Sequence, residues 1–67
     1  MQVIINGNST TLEPTTSITS LLAKLNIDVN RGVAVALNQG VVAKSSYSNT
    51  FLKDGDRLEI IHATAGG

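Results

Sequence analysis

The sequence of 67 residues contains no cysteine and carries a formal net charge of zero. It therefore predicts one thin-cored domain without disulfides or thiolate-bound zinc. The cations are not clustered, no apolar run approaches the roughly 20 residues of a membrane span, and residues 1–5 lack the features of a signal peptide. We therefore expect a soluble cytoplasmic domain that binds neither nucleic acid nor a membrane.

The N-terminal segment predicts a β-hairpin. Val3 and Ile5 alternate with Gln2 and Ile4, which suits a strand with one well-buried face. Asn6-Gly7 follows, and this pair is a strong hairpin signal because both residues tolerate positive φ. Residues 9–13 return as a second strand, and Pro14 ends it because proline cannot donate to the ladder.

The next segment has the periodicity of an amphipathic helix. Its apolar residues recur at i, i+3, i+4 and i+7, forming one stripe made of Ile18, Leu21, Leu22 and Leu25. Thr16 or Ser17 is the expected N-cap, and Asn26 is the expected end. A helix of about ten residues is too short to be stable alone, so it must pack on a sheet.

Three further strands are predicted. Residues 33–37 form the third, and residues 41–43 form the fourth after a three-residue turn with Gly40 in the left-handed conformation. A polar stretch with one helical turn around Tyr47 comes next, and residues 57–63 form the last strand. The order β-β-α-β-β-β places one helix across one face of a mixed sheet, an α+β fold.

Several polar residues are candidates for a catalytic or metal-binding role. Asp54 and Asp56 flank Gly55, and we interpret them as turn residues in preference to a metal or acid–base pair. His62, the single histidine, shares a face with Leu58 and lacks a metal-ligand pattern, so we expect a structural role there in preference to a partner contact. The serines at 45, 46 and 48 form no recognisable hydrolase arrangement.

The sheet face away from the helix is a possible docking surface. Because a single helix covers one face only, small and partly apolar residues remain on the other. The residues predicted there are Ala34, Ala36, Glu59 and Ile61. They can be ordinary surface or a surface for docking a partner, and the sequence leaves both open.

The tail from Ala63 to Gly67 has two interpretations. Small-residue termini are usually frayed. Alternatively, Gly66-Gly67 can enter a narrow channel because glycine has no Cβ, and the chemistry then falls on the terminal carboxylate of Gly67. A carboxylate is a poor electrophile, so it would need activation, most simply as an acyl-adenylate.

The chain resembles the ubiquitin-like sulfur carrier proteins of thiamine biosynthesis, the ThiS family, from Met1 to Gly67. Shared features are the strand-Asn-Gly opening, the helix, the Val-Ala-Leu-Asn stretch at 35–38 followed by Val-Val, the stretch 52–61 and the Gly-Gly end. Tyr47 stands where many relatives have Trp, and we expect this difference to alter packing only.

The resemblance implies a fold and a mechanism. The fold is the β-grasp, over residues 1–63, with the first and last strands parallel at the centre and with residues 64–67 as a flexible tail. An E1-like adenylyltransferase using ATP and Mg adenylates Gly67. Sulfur, which comes from cysteine through a cysteine desulfurase, then makes a C-terminal thiocarboxylate (1-thioglycine), and thiazole synthase takes this sulfur.

In this scheme the chain is a carrier and not an enzyme. Ala65 and Gly66 thread into partner active sites, and the chain supplies no catalytic side chain. It binds no metal or cofactor itself, and we expect a monomer when it is free. The resemblance leaves alternatives open: the small subunit of molybdopterin synthase, a ubiquitin-like protein modifier, or a plain binding module with an idle tail.

Overall fold

The structure is a computed structural model that describes residues 1–62. It contains five strands, one α-helix and one 3-10 helix. In chain order these are β1 (Gln2–Ile5), β2 (Asn8–Thr11), α1 (Ile18–Lys24), β3 (Val33–Leu37), β4 (Gly40–Val42), the 3-10 helix (Lys44–Asn49) and β5 (Arg57–His62). The predicted element order is confirmed, whereas the predicted end of β5 at Ala63 and the boundary between domain and tail lie outside the described residues.

The strands form one mixed sheet in the order β2-β1-β5-β3-β4. β1 and β5 are neighbours and parallel, with Ile4 beside Arg57 and Ile5 beside Leu58. The other pairings, β1 with β2 and β3 with both β4 and β5, are antiparallel. The first and last strands therefore lie side by side at the centre, which confirms the β-grasp arrangement.

Helix α1 packs on one face of the sheet and closes the core. Ser17 is its N-cap, and the Ser17 hydroxyl accepts a hydrogen bond of 3.0 Å from the backbone N–H of Ser20. The helix ends at Lys24, earlier than predicted, because Asn26 takes the left-handed φ of 59°. The core consists of Val3, Ile5, Leu12, Ile18, Leu21, Leu22, Val35, Tyr47, Leu52, Leu58 and Ile60.

Both hairpins use two-residue turns with positive φ. Asn6 and Gly7 have φ of 50° and 85°, as predicted. Asn38 and Gln39 have φ of 50° and 73°, and Gly40 already pairs with Leu37. The expected three-residue turn with a left-handed Gly40 was therefore wrong, because two non-glycine residues make the turn instead.

Candidate functional site

The sheet face opposite α1 carries the four residues predicted as a docking surface. Ala34 lies directly opposite Ile61, and Ala36 lies directly opposite Glu59, across the antiparallel pair of β3 and β5. Val35, Leu58 and Ile60, which alternate with them along the two strands, are buried on the side of the helix. Since side chains alternate between the two faces of a sheet, the four predicted residues share the uncovered face. Their docking role stays a prediction.

Val41 extends this apolar patch and was missed in the sequence analysis. It lies opposite Ala36 in β4, and its side chain is 83% exposed. Ile61, on the other side of β3, is 54% exposed. Val42, the next residue in β4, is half-buried on the core side. Because side chains alternate along a strand, this position could have indicated that Val41 faces the other way. We call Ala34, Ala36, Val41, Glu59 and Ile61 the open-face patch.

The end of β5 is held by a side chain from the first hairpin. The Asn6 side-chain oxygen accepts a hydrogen bond of 2.8 Å from the Ile60 backbone N–H. Its side-chain nitrogen donates to the Ile60 carbonyl at 3.3 Å. Asn6 and Ile60 are 54 residues apart in the chain, and no local pattern indicated this contact. It lies close to the point where the tail begins.

The two aspartates serve the turn before β5, as the sequence analysis interpreted them. Asp54 accepts a hydrogen bond of 2.8 Å from the backbone N–H of Gln2. Asp56 accepts from the Asn38 side chain at 3.0 Å and from the Lys53 backbone N–H at 2.7 Å. These contacts tie the turn to β1 and to the turn between β3 and β4, and they explain both carboxylates without a bound ion.

His62 lies on the exposed end of β5, opposite Val33. It shares the helix-side face with Leu58 and Ile60, as its spacing predicted. Within residues 1–62, no group of three or more His, Cys, Asp or Glu side chains is arranged to hold a metal. No helix in the same part of the chain is long and apolar enough to cross a membrane.

The predicted site of covalent attachment, Gly67, and the threading residues Ala65 and Gly66 lie outside the described residues. Their sequence position still sets a limit on reach. Gly67 follows His62 by five residues, so its Cα can lie at most about 18 Å from the His62 Cα. The described part of β5, a central strand of the sheet, thus ends five residues before Gly67.

Comparisons with solved structures match the whole fold. A crystal structure of the thiamine biosynthesis protein (ThiS) from Geobacter metallireducens superposes with a TM-score of 0.85 at 30% identity, and each chain covers all of the other. An NMR structure of a thiamine biosynthesis protein from the same organism gives a TM-score of 0.80 at 30% identity, and it covers 100% of this chain and 88% of that one.

Two relatives are larger proteins. A thiazole synthase of Paramagnetospirillum magneticum is 39% identical over 67 residues, and one of Magnetococcus marinus is 31% identical over the same length. All of this chain is matched in each, but it covers only 20% of each relative. The chain thus spans about a fifth of the length of these two relatives.

The family comparison covers almost the entire chain. The model of the ThiS family matches residues 3–67, from the first strand through the Gly-Gly end. Together with the agreement in fold and strand order, this match shows that the chain belongs to the ThiS family.

Proposed function

We propose that this chain is the sulfur carrier for thiazole formation in thiamine biosynthesis. The observation that carries the proposal is the ThiS family match over residues 3–67, which includes Gly66 and Gly67. A fold match without that end would support a β-grasp domain only. The match through the terminus directs attention to the carboxylate of Gly67.

The proposed chemistry takes place at this carboxylate in three steps. A carboxylate oxygen of Gly67 attacks the α-phosphorus of ATP, and pyrophosphate leaves, which gives a glycyl adenylate. A persulfide on the sulfur donor then attacks the acyl carbon and AMP leaves, which gives an acyl disulfide. A thiol attacks the donor's sulfur in this disulfide, the S–S bond breaks, and the thiocarboxylate leaves while the thiol and the donor are joined in a new disulfide. Adenylation is needed because AMP is a far better leaving group than an oxide ion.

The proposed partners supply everything that the carrier lacks. An E1-like adenylyltransferase binds ATP and Mg, and a cysteine desulfurase system supplies the sulfur. Thiazole synthase accepts it, and support for this partner comes from the two relatives named thiazole synthase, which contain a stretch similar to this whole chain. The chain itself acts as a protein co-substrate and not as the catalyst.

We propose that partners dock on the open-face patch. Its apolar centre is flanked by the charged Glu59, and Arg57 and Ile4 border it on β5 and β1. Such a mixture of an apolar centre and a polar rim is typical of interfaces that form and separate. Docking there would leave the tail free to enter the partner's active site.

The deciding experiment measures the intact mass of the chain. After incubation with its E1-like enzyme, ATP and a sulfur source, the mass should rise by about 16 Da, because one acyl oxygen is replaced by sulfur. The control omits ATP and should show no change. An unchanged mass in the complete mixture would refute the carrier function.

Two further observations separate the alternatives. Growth of a thiazole auxotroph, but not of a molybdopterin-deficient strain, when this chain is supplied would assign it to thiamine biosynthesis. Lysine-linked conjugates in cells, with no thiocarboxylate, would instead indicate a protein modifier.

A further inference from the structure

We propose that Asn6 is a positioning residue for sulfur transfer, because its carboxamide holds the end of β5 from which the tail extends. The inference rests on the proposed function and adds to it a residue outside both the tail and the open-face patch. Asn6 belongs to the first hairpin, so this role would tie that turn to the chemistry at the terminus.

The carboxamide of Asn6 substitutes for a missing stretch of β1. Along the parallel pair, the Ile4 N–H donates to the Asp56 carbonyl and the Asn6 N–H donates to the Leu58 carbonyl, both at 2.9 Å. The next acceptor in this series is the Ile60 carbonyl. By that point the main chain has turned away through Asn6 and Gly7, and residue 8 already belongs to β2.

The side chain of Asn6 fills both roles that the absent backbone would have had. Its nitrogen donates to the Ile60 carbonyl at 3.3 Å, and its oxygen accepts from the Ile60 N–H at 2.8 Å. A primary amide carries N–H donors and a C=O acceptor in one plane, so one of its N–H groups and its oxygen can take the places of a peptide's donor and acceptor. The left-handed φ of 50° at this position is also one that asparagine tolerates.

This contact decides whether the end of β5 is held on one edge or on two. On one side, β3 pairs with β5 as far as Val33 opposite His62. On the other side, β1 ends at Ile5, and the Asn6 side chain is the contact that reaches Ile60. Without it, the last residues of β5 would be held only by β3, which lies next to a single short edge strand.

A firmly held anchor matters because the number of residues between the anchor and Gly67 limits where the carboxylate can be placed. Gly67 lies five residues beyond His62. Opening the strand back to Ile60 would lengthen the free segment and lower the effective concentration of the carboxylate at the partner's reaction centre. Small losses of alignment reduce the rate of the chemical step more than they reduce docking, since docking uses another surface.

The test compares two matched variants, Asn6→Gly and Asn38→Gly. Both residues follow a strand, both have φ of 50°, and both bind the backbone of β5 through the side chain. Asn38 accepts from the Arg57 N–H at 3.0 Å, at the start of β5 and far from the tail. Glycine adopts positive φ readily, so each variant loses the side-chain contact without backbone strain.

Hydrogen exchange reports on the contact itself. In Asn6→Gly, the Ile60 amide should exchange about tenfold faster than in the parent chain, because it loses its acceptor. In Asn38→Gly, the faster amide should be Arg57, and Ile60 should change only as much as global stability does. Equal protection of Ile60 in the parent chain and in Asn6→Gly would overturn the proposal.

Kinetics report on the positioning role. With the E1-like partner, Asn6→Gly should lower kcat for thiocarboxylate formation by about fivefold, with little change in the KM for the carrier. Asn38→Gly should leave kcat unchanged at a temperature where both variants are folded. Equal losses of kcat in the two variants, or none in Asn6→Gly, would refute positioning.

A second variant covers the case in which Asn6→Gly does not fold. Asn6→Asp keeps the acceptor for the Ile60 N–H but at neutral pH places a carboxylate oxygen against the Ile60 carbonyl, so kcat should fall in the same direction as in Asn6→Gly. An unchanged kcat in folded Asn6→Asp, together with an Ile60 amide as protected as in the parent chain, would count against the proposal. If the parent chain itself forms no thiocarboxylate, the proposed function and the positioning role fail together, while the exchange data still decide whether Asn6 holds β5.

Discussion

Val41 lies directly opposite Ala36 on the uncovered face of the sheet, and Val41 is the most exposed of the large apolar side chains in residues 1–62. Its side chain is 83% exposed, although valine is usually buried. The neighbouring Ile61, on the far side of β3, is also more than half exposed. A contiguous apolar patch on a small domain marks an interaction surface more often than scattered single residues do.

Placing a charge at Val41 should therefore weaken partner docking. Val41→Asp would have to bury an unpaired carboxylate in the interface, so we expect the KM for the carrier with the E1-like partner to rise about tenfold or more. Thiocarboxylate formation at a saturating concentration of carrier should change little. Steady-state kinetics over a range of carrier concentrations measures both values.

The matched control for this variant is Thr19→Asp. Thr19 is an exposed residue of α1, so the variant adds the same charge on the opposite side of the sheet. It should leave KM near that of the parent chain. Comparable increases in KM for Val41→Asp and Thr19→Asp would show that net charge, and not the open-face patch, governs binding.

We expect opposite changes in the free energy of unfolding when glycine is introduced into one hairpin turn and removed from the other. Gln39 has a φ of 73°, which a side chain with a Cβ disfavours, so Gln39→Gly should raise the free energy of unfolding by about 0.5–1 kcal/mol. Gly7 has a φ of 85°, and a Cβ added there would meet nothing within 4 Å. Gly7→Gln should therefore lower the free energy of unfolding by about 1 kcal/mol through backbone strain alone.

Urea denaturation of the two variants beside the parent chain measures both changes. The pair is informative because the same two residue types are exchanged in opposite directions at equivalent turn positions. Destabilisation by Gln39→Gly would mean that the entropy of the unfolded chain outweighs the relief of strain.

The sequence predicted best those features that depend on local periodicity. The helical spacing identified Ile18, Leu21 and Leu22, and all three are buried. Large and small apolar residues alternate over 33–37, and β3 has the same bounds in the structure. In both cases a repeat over several residues matches one element, so neighbouring residues reinforce the same prediction.

Features that depend on a single residue or on distant contacts were harder to predict. We predicted the left-handed conformation for Gly40 because glycine adopts positive φ readily. In the structure Asn38 and Gln39 have the positive φ angles instead. The contact of Asn6 with Ile60 joins opposite ends of the chain, so no local pattern reveals it. Similarly, Val41 becomes part of the patch only through the register of β4 on β3.

Asp56 should behave as a structural residue. Its two carboxylate oxygens accept from the Asn38 side chain at 3.0 Å and from the Lys53 backbone N–H at 2.7 Å. In Asp56→Asn, one acceptor is replaced by an amide nitrogen that faces a donor, so we expect a loss of about 1–3 kcal/mol in the free energy of unfolding. Thiocarboxylate formation well below the melting temperature should be unchanged.

Glu13→Gln is the control, because it makes the same chemical change at an exposed residue and should alter stability by less than about 0.5 kcal/mol. Chemical denaturation and the mass measurement together decide the case. A folded Asp56→Asn chain that no longer acquires sulfur would assign Asp56 a chemical role and contradict its interpretation as a turn residue.

Deleting Gly67 should abolish sulfur loading without unfolding the domain. The deletion moves the terminal carboxylate back to Gly66, which shortens its reach by about 3.5 Å, more than a reacting pair of atoms tolerates. Stability should change by less than about 0.5 kcal/mol, as is usual when the last residue of a domain is removed. Gly67→Ala provides the companion variant, because it keeps the reach but adds a Cβ. If Gly67→Ala loads sulfur and the deletion does not, distance is the critical requirement. If both fail, the partner's channel also excludes a side chain, as the Gly-Gly end suggests.

A large loss of stability on deletion of Gly67 would instead mean that the terminus is part of the fold, and the carrier function would lose its main physical basis.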